Sequence, residues 1–536
     1  MMRARWALCA VGLLVSATVV WQNAPSSQEL IELKREALAV FSEILQDGSA
    51  AERLSAVNSL VRFGDDSVVP LLTERLLTDE ASFVRRAAAE GLLRFRSAQA
   101  AEALRQAART DSVASIRWAA AISLGEPKML IELLLERETL AAAALALQEP
   151  TAAARLPNTA WRAVEITLLK SISEREAFNV VERAAMLKAL AQLGSLAVID
   201  SARQTLSNTT EDPFVRGAAA FALGVLNVRN AVPELVRALS EDAEAIQVGA
   251  AGALGLLRDP AALGALGDLL RKGRSPQARI AAASALAPLG SRAVPALAQA
   301  LLGDEVPQVR QAALRALRHI KTSEATRAVL DFLASNYLQQ CDPATCGGVA
   351  LETLRALAEL GQAQLALHVT LATLNALREA LPFLFAFAEG ELVQTLSTVG
   401  RVAPEVFDIV LQDQSPFVRA LGIAAFAAVY HAEARELLMR YISDENVLVR
   451  RAAVEGLAPW AIPDDTELFA KFADERDLRT RAAALSALAR VGDTRALEPL
   501  RRALRSESIS VRLDAAGAAL AFALRWGKTP SPPSRP

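Results

Sequence analysis

Residues 444–457 read DENVLVRRAAVEGL, an acidic residue and a short polar stretch followed by Val-Arg, paired alanines and a leucine. The apolar residues Val449, Ala452, Ala453, Gly456 and Leu457 fall at helical spacing, and Asp444 opens the segment as a cap for free backbone N–H groups. The same text recurs as DEASFVRRAAAEGL from Asp79, DSVASIRWAAAISLG from Asp111, EDPFVRGAAAFALG from Glu211 and DEVPQVRQAALRAL from Asp304. Its arginine stands at positions 53, 85, 117, 183, 216, 279, 310, 419, 450, 481 and 512. Most steps are 31–33 residues, and those of 66 and 63 are double steps. DAEAIQVGAAGALG from Asp242 fills the second double step, with Gly249 close to the place of the missing arginine. A fixed period of this length is the mark of a solenoid.

Each unit divides into two helices. After the Val-Arg helix comes a turn such as Phe63-Gly64-Asp65, Leu289-Gly290-Ser291 or Val491-Gly492-Asp493. The partner helix carries a proline in its first turn, as at Pro70, Pro233, Pro295 and Pro499, where a missing N–H costs nothing. The predicted fold is therefore all-α, an α-solenoid (superhelix) of about 13–15 helical pairs over residues 28–340 and 349–527. The rhythm weakens at 141–176 and 320–412.

These units resemble HEAT repeats, and in particular the short bacterial HEAT-like repeats of the phycobilisome-lyase type. The resemblance implies a ladder of hydrogen bonds between the Asp and Arg of successive units. The residues it selects are Asp79 and Arg85, Asp111 and Arg117, Asp304 and Arg310, Asp413 and Arg419, Asp444 and Arg450. It also implies a concave surface lined by the Val-Arg helices. Positions one and five after the arginine should face away from the core there. Trp118, Ile122 and Phe221 are apolar at such positions and are the candidates for a groove that takes a peptide or partner helix. The competing expectation is that segment 141–176 packs onto them.

Composition narrows function by exclusion. Lys plus Arg is 58 against 60 Asp plus Glu, a formal net charge of −2, so no global basic field draws nucleic acid. A mean hydropathy of +0.24 is too low for a polytopic membrane protein. His319, His368 and His431 are isolated, and no His-Glu pair offers the iron ligands used by some HEAT-like hydroxylases. Neither a glycine-rich phosphate loop nor a nucleophile elbow is present. No cofactor is expected.

The ends of the chain read differently. Arg3 and Arg5 precede an apolar run from Trp6 to Trp21, so residues 1–24 have the layout of a secretory signal or, if uncleaved, of an N-terminal membrane anchor at residues 6–21. Either reading exports the repeats, to the periplasm or to the outward face of the cytoplasmic membrane. Cys341 and Cys346 lie in QQCDPATCGG, an expected loop insertion at 341–348, and in an oxidising compartment such a pair favours a local disulfide. Residues 528–536, rich in Pro and Ser, are expected to form a disordered tail. The function these features favour is a non-catalytic, extracytoplasmic scaffold or assembly factor that binds a protein or peptide. The alternative is a HEAT-like lyase-type enzyme or small-ligand carrier.

Overall fold

A computed structural model describes residues 24–174, 176–335, 337, 343–376 and 381–527, except the side chains at 343–346, 372–373, 375–376 and 381–388. Residues 1–23 of the expected signal or anchor, Cys341, the Cys346 side chain, the side chains of the phenylalanine-rich stretch at 381–388 and residues 528–536 of the expected tail lie outside the described residues. Among those residues the secondary structure is helical throughout, α-helices alternating with short 3-10 turns and no strand. The chain forms two units, one of Met1–Ala107 with Val410–Pro536 and one of Ala108–Ile409.

The second unit contains a row of five Val-Arg helices: α1 (Val180–Gln192), α2 (Pro213–Val225), α3 (Glu244–Leu257), α4 (Pro276–Leu286) and α5 (Pro307–Ile320). Local chemistry sets their starts. Asn179 and Glu182 form a capping box on α1, Asp212 accepts from Phe214 N–H on α2, and Ser275 accepts from Gln277 and Ala278 on α4. Pro213, Pro276 and Pro307 occupy first-turn positions. At the other end the chain turns through a left-handed residue at Asn227, Arg258, Gly290 and Lys321, with φ of 54°, 54°, 73° and 54°.

Consecutive helices of the row pack on one another, and glycine sets how closely. A Cβ built on Gly217 would fall 2.2 Å from Ala245 O, and one on Gly249 would fall 2.1 Å from Gly217 O. Towards the C-terminal ends, a Cβ on Gly224 would fall 2.3 Å from Ala253 Cα, and one on Gly255 would fall 2.9 Å from Ala285 Cα. No side chain fits at these points, so the α2, α3 and α4 backbones meet directly. Early residues meet early residues and late meet late, which makes these helices parallel.

The repeat arginine ties each Val-Arg helix to its surroundings in two directions. In the second unit Arg183 bonds Glu211, Arg216 bonds both oxygens of Glu241 at 2.6 and 2.8 Å, and Arg279 bonds both oxygens of Asp304 at 2.8 and 3.1 Å. In the first unit Arg53 does the same to Asp79, at 2.8 and 2.9 Å. Several of the arginines donate backwards to a backbone carbonyl six residues earlier, among them Arg85 to Asp79 O, Arg117 to Asp111 O, Arg310 to Asp304 O, Arg419 to Asp413 O and Arg450 to Asp444 O, at 2.6–2.9 Å. An aspartate of this series therefore binds the arginine of the unit before it through its carboxylate and the arginine after it through its backbone carbonyl. Asp79 and Asp304 show both bonds. Arg419 approaches Asp444 only to 3.8 Å, and Arg117 turns to Glu136 and Thr139 instead.

Gln247, two residues before Gly249, takes the place of the missing arginine. Its side chain donates to Leu239 O, eight residues back, as Arg310 does to Leu302 O. The acid that would answer an arginine there is missing too, since residues 272–274 read Lys-Gly-Arg. Arg274 pairs instead with Asp242 at 2.6 Å, between exposed side chains.

Residues 343–348 of the expected loop insertion form the first turns of a helix, Pro343–Glu359. Pro343 suits a first helical position, and Gly348 leaves room for the Gln311 amide, which a Cβ would meet at 3.2 Å. Two apolar stretches, Pro276–Gly303 and Pro416–Tyr441, reach membrane-spanning length. Each is broken into two helices, at Gly290 (φ 73°, ψ −151°) and at His431 (φ 53°, ψ −123°).

In the first unit the chain's first described helix, Ser27–Asp47, packs on its last, Ile509–Gly527. The former buries Leu33, Ala37, Phe41 and Ile44, and the latter is buried on most faces, including Leu520, Phe522 and Trp526. Arg501 meets Glu36 at 3.2 Å and Arg512 meets Glu43 at 2.7 Å along this seam.

Candidate partner-binding groove

Trp118 and Ile122 do not form a groove. They are 2% and 9% exposed, in a helix (Ala114–Leu124) that packs against Arg137–Leu147, part of the irregular segment. The position count was sound, but the next helix covers them. Trp118 is among the largest fully buried side chains of the core, and its Nε1–H has no hydrogen-bond partner among the described residues.

Phe221 lies elsewhere, in a trough of about 1030 Å³ that runs across α1–α4 within the second unit. Its floor is backbone and small side chains, chiefly Gly217, Gly249 and Gly252. The close approach enforced by these glycines removes the side chains that would fill the space. Phe214, Phe221, Val248 and Leu256 rise around that floor, and Phe214, Val248 and Leu256 are exposed large apolar residues. Lys188 stands at one end with Nζ 5.4 Å from the Phe214 ring centre, a cation–π contact. The Gly252 position lies against the Phe221 ring, where a Cβ would sit 3.3 Å from it.

Counting from the arginines missed Phe214, Val248 and Leu256. Val248 and Gly252 are the first and fifth positions after Gln247, so the rule reaches both once Gln247 is read as the arginine. The glycine run at 249, 252 and 255 was the available signal, since such a run weakens a helix unless something approaches it closely.

The acids at the N-terminal edge of the row are engaged. Glu211 and Glu241 hold Arg183 and Arg216, Asp242 holds Arg274, and Glu244 accepts from Ser275. Among the described residues no group of three or more His, Cys, Asp or Glu could hold a metal ion.

The HEAT-repeat family model matches residues 38–125, 203–287, 265–341 and 449–521, more than half of the chain. The chain belongs to the HEAT-repeat family. No curated protein matches this HEAT-repeat chain. Solved structures similar to it include Kap95p with RanGDP (14% identity, TM-score 0.39, covering 91% of this chain and 77% of that one). Importin beta (13%, 0.39, covering 92% and 86%) and Kap121p bound to Ste12p (13%, 0.38, covering 90% and 70%) are similar to the same degree. Likeness at this level concerns the helical-repeat fold.

Proposed function

We propose that this HEAT-repeat protein is a non-catalytic scaffold that holds a protein or peptide partner in the α1–α4 trough, and that it works outside the cytoplasm. The trough carries the first part of the reading. Exposed Phe214, Val248 and Leu256, on α2 and α3, stand around a floor of backbone and small side chains and offer apolar contact that water serves poorly. A volume near 1000 Å³ also suits a small ligand, but a site open along several parallel helices favours an elongated guest. The basic start and apolar run of residues 3–21 support export.

The test is crosslinked capture from the native envelope fraction, with wild type beside Phe221→Asp/Leu256→Asp. A discrete protein retained by wild type and lost by the variant is the expected result. A co-purifying small molecule with no protein would overturn the scaffold reading. A reporter active only outside the cytoplasm, fused after Gly527, tests export, and an inactive fusion would refute it.

A further inference from the structure

At the C-terminal edge of the α2–α5 row, each repeat contributes one cation. Arg229, Arg258, Arg292 and Lys321 follow α2, α3, α4 and α5 in turn, and all four are exposed. Among the described residues none of them makes an ion pair. The acids nearby are occupied: Asp259 caps Ala261 N–H, and Glu324 is held below the usual carboxylate range by hydrogen bonds from its own backbone and from Thr322. The opposite edge is the reverse case, because its acids have partners in the protein. The trough thus presents apolar side chains together with polar ones, Glu149 and Glu244 among them, and Arg258 brings into its lining one of four rim cations that make no ion pair.

Two of the four cations sit in backbone geometry that ordinarily goes to glycine. Arg258 and Lys321 both have φ of 54°, in the left-handed region at the C-caps of α3 and α5. A cation at the end of a helix is favoured by the helix dipole, but a residue one turn earlier would supply that without strain. Neutral Asn227 takes the same φ after α2, so the conformation belongs to the turn rather than to the charge, and Arg258 itself lines the trough.

We propose that the partner held in this trough is an acidic peptide segment, with apolar side chains on the α2–α4 floor and carboxylates along the Arg229–Arg258–Arg292–Lys321 rim. The inference rests on the trough being the binding site. Packed helices lie about 8–10 Å apart, so the four cations span roughly 25–30 Å. Facing carboxylates would recur about every sixth residue of a helical guest or every third of an extended one. Charge complementarity of this kind governs which guests dock and how fast, while the apolar floor holds them. Nucleic acid supplies the charge without side chains for the floor.

The experiment is selection of a displayed library of random 16-residue peptides on the full chain, followed by fluorescence anisotropy of the enriched sequences. Each is measured against wild type, the rim variant Arg229→Gln/Arg258→Gly/Arg292→Gln/Lys321→Gly, and the floor variant Phe221→Asp/Leu256→Asp. Expected are enriched peptides that are net acidic and contain apolar residues, bind the rim variant about 10- to 100-fold more weakly at low salt, and lose that difference as salt rises. Binders of neutral or basic charge, or binding unchanged in the rim variant, would overturn the acidic-peptide assignment while leaving the trough intact. Binding unchanged in the floor variant would remove the trough itself. Polyuridylate or phosphatidylglycerol vesicles that bind wild type, fail on the rim variant and displace the peptides would assign the rim to a different polyanion.

Discussion

Replacing Arg279 by leucine removes a bidentate pair to Asp304, at 2.8 and 3.1 Å, and a 2.8 Å bond to Gly273 O. The two side chains are only 10% and 8% exposed, so the Asp304 carboxylate is left with the Val306 N–H and little water. Breaking a buried pair from one side costs about 3–5 kcal/mol. The remaining amide donor and the apolar fit of leucine put this case near the lower end, at about 3 kcal/mol. Arg450 holds the same repeat position in the other unit and also bonds its next acid, Glu475, at 2.7 Å, but those side chains are 23% and 29% exposed. Water can replace most of what Arg450→Leu removes, so the loss there should be about 1 kcal/mol. Urea unfolding followed by circular dichroism ranks the two variants, and hydrogen exchange locates each loss, because a solenoid's repeats answer mainly to their neighbours. Adding Asp304→Asn to Arg279→Leu removes the stranded charge while keeping an acceptor for Val306, and should recover about half of the loss. Equal losses in the two single variants, or no recovery in the double, would refute the argument that burial sets the strength of each rung.

Trp118→Ala should cost about 3–5 kcal/mol by leaving a core cavity, whereas Phe221→Ala should cost less than about 1 kcal/mol; thermal unfolding of both compares them. Gly249→Ala should destabilise by about 1–3 kcal/mol, because its Cβ would stand 2.1 Å from Gly217 O. Gly267→Ala, whose Cβ would make an ordinary 3.6 Å contact with Ala296, should stabilise its helix by about 0.5–1 kcal/mol in the same assay. Burial works against the Asp65 carboxylate, but hydrogen bonds from Ser67 and Lys34 outweigh it and hold its pKa below the usual value. A depressed folded pKa adds stability that is complete above the unfolded value of about 3.9 and fades as pH falls below it. Asp65→Asn should therefore flatten the stability profile below about pH 4 and leave its shape above pH 5 unchanged.

The period of the arginines was enough to read the helical pairs, because stacking one unit on the next demands the same residues each time. Asp304 and Arg279 illustrate this: both are needed wherever the rung is buried, so both recur. The trough was less legible for the same reason. It exists where the repeat is broken, at Gln247 and the glycines after it, and a pattern match discards such departures as noise. Trp118 failed for another cause. Its outward position on its own helix was counted properly, but burial depends on the path of the 137–147 helix, which no local spacing encodes. The rim cations were also hidden, since Arg229 and Arg292 stand two residues beyond the turn while Arg258 and Lys321 stand at it.

The seam between Ser27–Asp47 and Ile509–Gly527 joins two helices far apart in the sequence, with Glu43 and Arg512 469 positions from one another. At about 5–20 residues per second, roughly 25 to 90 seconds separate the emergence of the two helices from the ribosome. Throughout that interval Leu33, Phe41 and Ile44 lack the helix that packs on them in the finished fold. The repeats in between can form as they emerge, each on its predecessor, but Ser27–Asp47 lacks one of its neighbours until Ile509–Gly527 has been made. The newborn chain thus carries an amphipathic segment with an uncovered apolar face throughout that interval, which is the part a chaperone would need to hold.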